Sequence, residues 1–418
     1  MLEGWIDTTL GELIDPKRPI TYGVVQPGEH DPNGIPLVRG GDFSFGWKPI
    51  DQYRRVSSAV ESSFSRARLK AGDLVVTIKG DVGAAAIVPS FLEGANVSQT
   101  NARVAIDPSK AEAEVILAFL ESHDGRRQIS AVTQIGAQPG LIFRDIKAFK
   151  LQLPPLPEQR KIAEILRTWD EALEKLTALR AAKERRHRAL TISLVFGGNQ
   201  LEQFRTTGEV KPHRWFSLPA SWGCTAIGKL AKEVSARNAD GTQHDVLSCS
   251  KYDGFVRSLE YFKKQVFAAD LSGYKKIWRG DFGFPCNHVE EGSIGIQNLT
   301  DVGVVSPIYA VFRFDPEKVD GEYAYAVLKT SLYRHIFEVS TSASVDRRGS
   351  LRWSEFSKIP FPVPPLAEQK AIAEVLRTSQ ADIDGLTAEI DALTQQKRGL
   401  MQKLLTGEWP VKPEGAVD

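Results

Sequence analysis

Two short stretches of this chain place residues where phosphate or metal chemistry could occur. Gly223-Cys224-Thr225-Ala226-Ile227-Gly228-Lys229 has the glycine and lysine spacing of a phosphate-binding loop, where backbone N–H groups cradle the phosphates. The next residue is Leu230, at the position where a Ser or Thr hydroxyl would hold magnesium, and no clear apolar strand leads in. A plain turn is the expectation. Cys286-Asn287-His288, with Cys249 and His244 upstream, offers metal-ligand types. Structural zinc needs four ligands, commonly with two cysteines two to four residues apart, and that pairing is missing. Buried cysteines and surface histidines are expected instead, with no metal.

Other catalytic patterns are equally absent. The seven histidines form no HExxH pair, and no GxSxG elbow exists. The two Pro-Pro pairs sit in LPPL and VPPL, not in the Asn/Asp-Pro-Pro-aromatic loop of adenine methyltransferases. No catalytic residue is assigned, and the chain reads as one without its own active site.

What remains is a binding surface. In the first part of the chain Arg39, Arg54, Arg55, Lys79, Gln99 and Asn101 are candidate nucleic-acid contacts. In the second part the candidates are Lys251, Tyr252, Lys263, Lys264, Lys275, Lys276, Asn287, Arg347 and Arg348. Lys and Arg neutralise phosphates, and Arg, Lys, Asn and Gln can pair with base edges in the major groove. Tyr22, Phe43, Trp47, Tyr53, Tyr261 and Tyr274 are interleaved with them. Any single one of these residues could equally belong to an ordinary solvated face. With 53 basic against 52 acidic residues the net charge is only +1, so a nucleic-acid binder would have to gather its basic residues on one face.

The elements that would position these residues come in duplicate. Residues 153–168 read LPPLPEQRKIAEILRT and residues 363–378 read VPPLAEQKAIAEVLRT, with 11 of 16 identical at an offset of 210. Arg188, Leu190, Leu194 and Gly197 recur as Arg398, Leu400, Leu404 and Gly407 in the same register. Trp5…Leu10-Gly11-Glu12-Leu13 is echoed by Trp222…Ile227-Gly228-Lys229-Leu230, and Ala71-Gly72-Asp73-Leu74 by Arg279-Gly280-Asp281-Phe282. The repeat is far longer than a solenoid module, so it marks a duplicated protein with pseudo-two-fold organisation.

Each proline pair should end a strand and precede a long helix, with Pro157 and Glu158 suited to the first turn. Ile162, Leu166, Trp169, Leu173 and Leu176 form one apolar stripe at spacings of four and three. In the second copy Ile372 and Leu376 lead into Ile383, Leu386, Ile390, Leu393, Lys397, Leu400 and Leu404, a heptad seam with one lysine in it. Some 40 residues of helix make a rod of roughly 60 Å. Gly385 is its weak point, at about 1 kcal/mol. The expected fold is α+β: two similar globular α/β domains joined by two long antiparallel coiled-coil helices. The segments are residues 1–156, helix 157–197, residues 198–366, helix 367–407 and a tail, 408–418.

Bulk properties agree. A chain of 418 residues suggests two to four domains, and 42% hydrophobic with 25% charged residues is ordinary for a globular protein. No run of 18 apolar residues supports a membrane span, and MLEGWIDTTLGELI lacks the basic leader and apolar core of a signal peptide. Three cysteines without a CxxC pair suit a reducing cytosol.

The doubled PPLPEQRKIAEIL and PPLAEQKAIAEVL openings, each starting a long helix after a globular segment, resemble the two conserved regions of the specificity subunit of type I restriction-modification systems. Gly34 to Asp42 with Lys70 to Val76, and Ser272 to Phe282 with Gly303 to Tyr309, look like two patterns of that family's target-recognition domains. The resemblance covers essentially the whole chain. It implies a non-catalytic subunit in a prokaryotic cytoplasm that reads a bipartite, asymmetric target in double-stranded DNA, one half per domain. The paired helices would set the gap and dock two methyltransferase subunits, and two restriction/translocase subunits would join. S-adenosylmethionine, ATP and magnesium would belong to those partners. Two other classes stand against this reading. A nuclease or methyltransferase would need a methyltransferase loop or a metal-binding carboxylate set. A coiled-coil adaptor without nucleic acid would show no salt-dependent DNA shift.

Overall fold

Proline sets the punctuation of this fold. Pro154-Pro155 and Pro364-Pro365 follow the strands Lys150–Leu153 and Pro360–Val363, and a 40-residue helix starts after each pair: Leu156–Val195 and Leu366–Leu405. A proline cannot donate to a ladder, and its fixed φ suits a helix entry. The computed structural model describes residues 4–44, 46–133, 140–206, 208–341 and 350–411. None of its helices is long and apolar enough to cross a membrane. The chain divides into two units, Met1–Thr177 with Ala388–Asp418, and Ala178–Thr387, so each holds part of both long helices.

In the first unit, Thr21–Tyr22, Asn101–Val104, Leu74–Thr77 and Ala85–Ile87 form a four-stranded antiparallel sheet in that order. A second sheet has the order Arg55–Val56, Ile35–Val38, Asn96–Val97, and its last pair is parallel. Ile6–Thr9 pairs with Lys150–Leu153, tying the start of the unit to the strand before the helix. The central strand Leu74–Thr77 is buried along its length, as a run of apolar and β-branched residues should be. Leu10, Leu74, Val104, Ile116 and Ile146 share a core with Ile162, Ala163 and Leu166 of the first long helix and Met401 and Leu404 of the second.

The second unit repeats this plan. Its antiparallel sheet runs Ala231–Glu233, Tyr309–Phe314, Phe282–Pro285, Gly295–Ile296. Its other sheet runs Gly254–Arg257, Asp245–Ser250, Val302–Val305, Lys275–Trp278, again with one parallel pair. Leu74 lies opposite Val104, and Phe282 opposite Phe312, so equivalent positions can be counted from these pairs. The core here is aromatic, with Phe282, Phe284, Phe312, Tyr323, Phe337 and Phe361 packed with Ile372 and Leu376 of the second long helix. The duplicated sequence therefore folds twice.

The EQ dipeptide of the repeat explains its own retention. Gln159 is 1% exposed; its Oε1 accepts the Glu112 N–H at 2.9 Å and its amide donates to the Pro154 carbonyl at 2.8 Å. Gln369 is fully buried, accepts the Asp320 N–H at 2.9 Å, and donates to the Pro364 and Lys318 carbonyls at 2.9 and 3.0 Å. The preceding glutamates accept indole N–H groups, Glu158 from Trp5 at 3.2 Å and Glu368 from Trp222 at 3.0 Å. Burial pushes both carboxyl groups above their ordinary range, and the indole donors oppose that shift. In each unit, then, the first turn of a long helix is pinned to its head by a tryptophan and a glutamine.

Within each unit the long helices pair antiparallel. In the second, Lys183 meets Asp382 at 2.9 Å and His187 meets Ser379 at 3.0 Å, one number rising as the other falls. In the first, Asp170 takes an ion pair from Lys397, the lysine of the seam. Of the expected seam residues, Ile162, Leu166, Ile372, Leu376, Ile383 and Leu404 are buried. Trp169, Leu173, Leu176, Leu386, Ile390, Leu393 and Leu400 are half-buried, because two helices cover only one side of each other there. Gly385 does not interrupt the helix.

Candidate nucleic-acid interface

Among the described residues, one kind of tight turn occurs three times. At Arg39–Asp42, Lys70–Asp73 and Trp278–Asp281 the aspartate carboxylate accepts the N–H of the residue three positions earlier at 2.8 Å. The glycine before each aspartate has φ +85°, and nothing lies within 4 Å of where a Cβ would sit. Glycine is there for its backbone freedom alone. The buried aspartates take their own cations: Lys48 on Asp42 at 2.6 Å, Arg18 bidentate on Asp73 at 2.6 Å, and Arg313 on Asp281 at 2.5 Å. Basic residues spent in this way are held by the fold.

The first of these turns opens onto a cleft of about 500 Å³ that Arg39, Lys79 and Gln99 line together with Val25 and Thr100. The Ile78 and Lys79 N–H groups both reach the Thr100 carbonyl, at 2.8 and 3.2 Å, and Gly40 donates to the Thr100 hydroxyl at 3.3 Å. Three loops are thereby fixed side by side at strand ends. The Lys79 side chain is exposed and has no ion-pair partner among the described residues. The Arg39 guanidinium is half-exposed, 3.9 Å from the already paired Asp42. Two cations and an amide on one rigid rim can meet phosphate and base edges.

Asn101 is corrected by the structure. It is fully buried, and its Nδ2 donates to the Val38 carbonyl at 3.3 Å, linking the two sheets of its unit. The equivalent position in the second unit, Tyr309, is buried too, and its hydroxyl accepts the Cys249 N–H at 2.9 Å. Arg54 and Arg55 are also diverted: their guanidinium groups bind the backbone carbonyls of Gly28 and Gly34.

In the second unit the counterpart of Lys79 is Asn287, half-buried at a strand end. Lys251 and Tyr252 are exposed at a hairpin tip, and Lys263 and Lys264 are exposed just past the helix Ser258–Phe262. Lys275 instead donates to the Tyr309 carbonyl at 2.6 Å, and Lys276 pairs with Asp240 at 3.0 Å, holding that carboxyl down at about 2. Arg347 and Arg348 lie outside the described residues. The exposed candidates of the two units thus differ in kind while the strands beneath them correspond.

Gly223–Ala226 is a strand paired with Pro360–Val363, and the Ile227 and Gly228 N–H groups donate to Ile359 and Ser357 carbonyls, leaving them nothing to offer a phosphate. Cys249 is buried, which pushes its thiol up to about 12. Among the described residues only His288, Glu290 and Glu291 converge, at the surface. Sequence reasoning missed the Trp5–Glu158 and Trp222–Glu368 pairs and both buried glutamines. The signal was in the repeat: each head opens with a tryptophan and closes on PPLxEQ.

The family model described as the type I restriction modification DNA specificity domain matches residues 29–183 and 277–395. The EcoBI specificity subunit of Escherichia coli is 26% identical over 206 residues, 49% of this chain and 43% of that protein, so this match spans less than half of the relative. The putative MjaX specificity subunit of Methanocaldococcus jannaschii is 23% identical across 97% of this chain and 94% of that one. In fold, the chain is similar to the type I restriction-modification S subunit from M. genitalium, with a TM-score of 0.54 at 15% identity over 96% of both chains. A chain from a structure concerned with complex assembly and conformational transition of the type I R-M system gives 0.56 at 17% identity, over 96% of this chain and 98% of that one. Matched twice by the family model, over more than half of its residues, and folded twice on one plan, the chain belongs to the type I restriction-modification DNA specificity family.

Proposed function

We propose that the chain is the DNA-reading subunit of a type I restriction-modification complex, acting in a prokaryotic cytoplasm without catalysis of its own. Each unit reads one half of a bipartite, asymmetric target in double-stranded DNA. The observation that carries this reading is the matched strand ends with unmatched side chains, Lys79 in one unit and Asn287 in the other. Corresponding scaffolds with different contact residues are what two half-sites of different sequence require. The long helices set the unread gap and dock two methyltransferase subunits, which two restriction/translocase subunits join. S-adenosylmethionine, ATP and magnesium serve those partners.

Fluorescence anisotropy of the full chain with labelled duplex DNA across a salt series tests the reading. Affinity should fall linearly on a log–log plot, by about 0.9 per phosphate contact. Absence of any duplex binding at low salt would remove the proposal. So would transfer of labelled methyl groups to DNA by the highly purified chain alone.

A further inference from the structure

Tyr252 is the most exposed aromatic ring among the described residues, at 79%. Such exposure usually goes with a loose loop, but here the loop is locked. The strands Asp245–Ser250 and Gly254–Arg257 pair up to Ser250 opposite Gly254, leaving only Lys251, Tyr252 and Asp253 at the tip. The Ser250 hydroxyl accepts the N–H groups of Tyr252 and Asp253 at 3.1 and 3.0 Å and donates to the Asp253 carboxylate at 2.9 Å. Gly254 closes the turn at φ +68°. From below, the Lys329 ammonium donates to the Lys251 and Gly292 carbonyls, both at 2.9 Å. A ring held out on so rigid a tip loses little conformational freedom when it binds.

The surroundings select the occupant. The Lys251 ammonium lies 5.5 Å from the Tyr252 ring centroid. Asp253 is engaged inside the turn. An aromatic face with one cation beside it suits a stacked base next to its phosphate. Resting on the DNA-reading function proposed above, we infer that Tyr252 is a stacking wedge, pressing its ring against a partly unstacked base step in the second unit's half-site. Such a contact favours flexible pyrimidine–purine steps without a hydrogen bond to any base edge. Among the described residues the first unit has no counterpart, because its equivalent strands, Ile35–Val38 and Arg55–Val56, are not joined by a tight turn.

The test uses the full chain and the duplex it enriches from a random-sequence pool. Tyr252→Ala should weaken binding about 5- to 150-fold, the worth of one base–aromatic stack, and abolish permanganate reactivity of thymines at one step of the bound duplex. Tyr252→Phe should keep both within about twofold, since stacking needs the ring and not the hydroxyl. Equal losses in the two variants would mean a hydroxyl contact and overturn the wedge. So would unchanged affinity of Tyr252→Ala, or a bound duplex without a reactive step. In each of those cases DNA reading itself stands; failure of the unaltered chain to enrich any duplex would end both proposals.

Discussion

Replacing Gln369 with leucine keeps the bulk of the side chain and deletes the amide. Three backbone groups then lose their partner: the Asp320 N–H and the Lys318 and Pro364 carbonyls. The site is fully buried, so water cannot stand in without opening the packing. Each stranded group costs about 1–3 kcal/mol, while burying the leucine methyls returns about 1–2 kcal/mol. The net loss should lie near 4 kcal/mol, within bounds of about 1 and 8. It should appear where the pin acts, on the helix Gly321–Leu328, whose N-cap Asp320 accepts the Tyr323 N–H at 3.0 Å. Native-state hydrogen exchange read by mass spectrometry on the full chain separates this from a diffuse effect. Amides of that helix should exchange several-hundred-fold faster, since each 1.4 kcal/mol is about tenfold. The helix Ala113–Glu121, held by Gln159 in the first unit, should be unchanged, and Gln159→Leu should reverse the pattern. Acceleration of less than about fivefold, under ~1 kcal/mol, would refute the glutamine as the pin.

Lys79→Ala should lower the slope of log affinity against log salt by about one and leave the melting temperature unchanged, whereas Asn101→Ala should lower the melting temperature, because its amide ties two sheets. The reverse assignment, from paired melting and anisotropy series, would contradict the placement of these side chains. Gly72→Ala and Gly280→Ala should each destabilise by about 1–2 kcal/mol from backbone strain alone, since the space for a Cβ is open; urea titrations giving no loss would remove the φ argument. With its thiol held at about 12 by burial, Cys249 should be the slowest of the three cysteines to react with iodoacetamide at pH 8. Peptide mapping that finds it alkylated as fast as a free thiol would show that the site is open.

The long helices and the duplication were legible because both rest on spacing, which survives in a bare string of residues. Pro154-Pro155, the apolar stripe and the offset of 210 needed no tertiary knowledge. The depth of the seam was not legible. Leu386, Leu393 and Leu400 have the right period, yet they are only half-buried, so truncating any of them to alanine should cost less than the 2–5 kcal/mol of a core leucine. The candidate contacts were legible in residue type, and the structure gathers only some of them. Arg39, Lys79 and Gln99 do converge on one cleft. Arg54, Arg55, Lys275 and Lys276 carry the expected charge, but each is already bound to a carbonyl or a carboxylate of the fold, most of them far away in sequence. Asn101 falls on the buried side of a central strand. Residue type marks what a side chain can bind; only the packed structure decides whether solvent or the chain itself already occupies it.

The central claim is that each unit reads its own half of a DNA target. Sequencing the duplexes that the full chain enriches from a random pool, before and after residues 1–150 are exchanged for the same segment of a relative, tests it most directly. A bipartite, asymmetric site with a fixed gap is expected, in which the exchange rewrites one half and leaves the other half and the gap intact. Enrichment of no sequence, or a change in both halves at once, would contradict it.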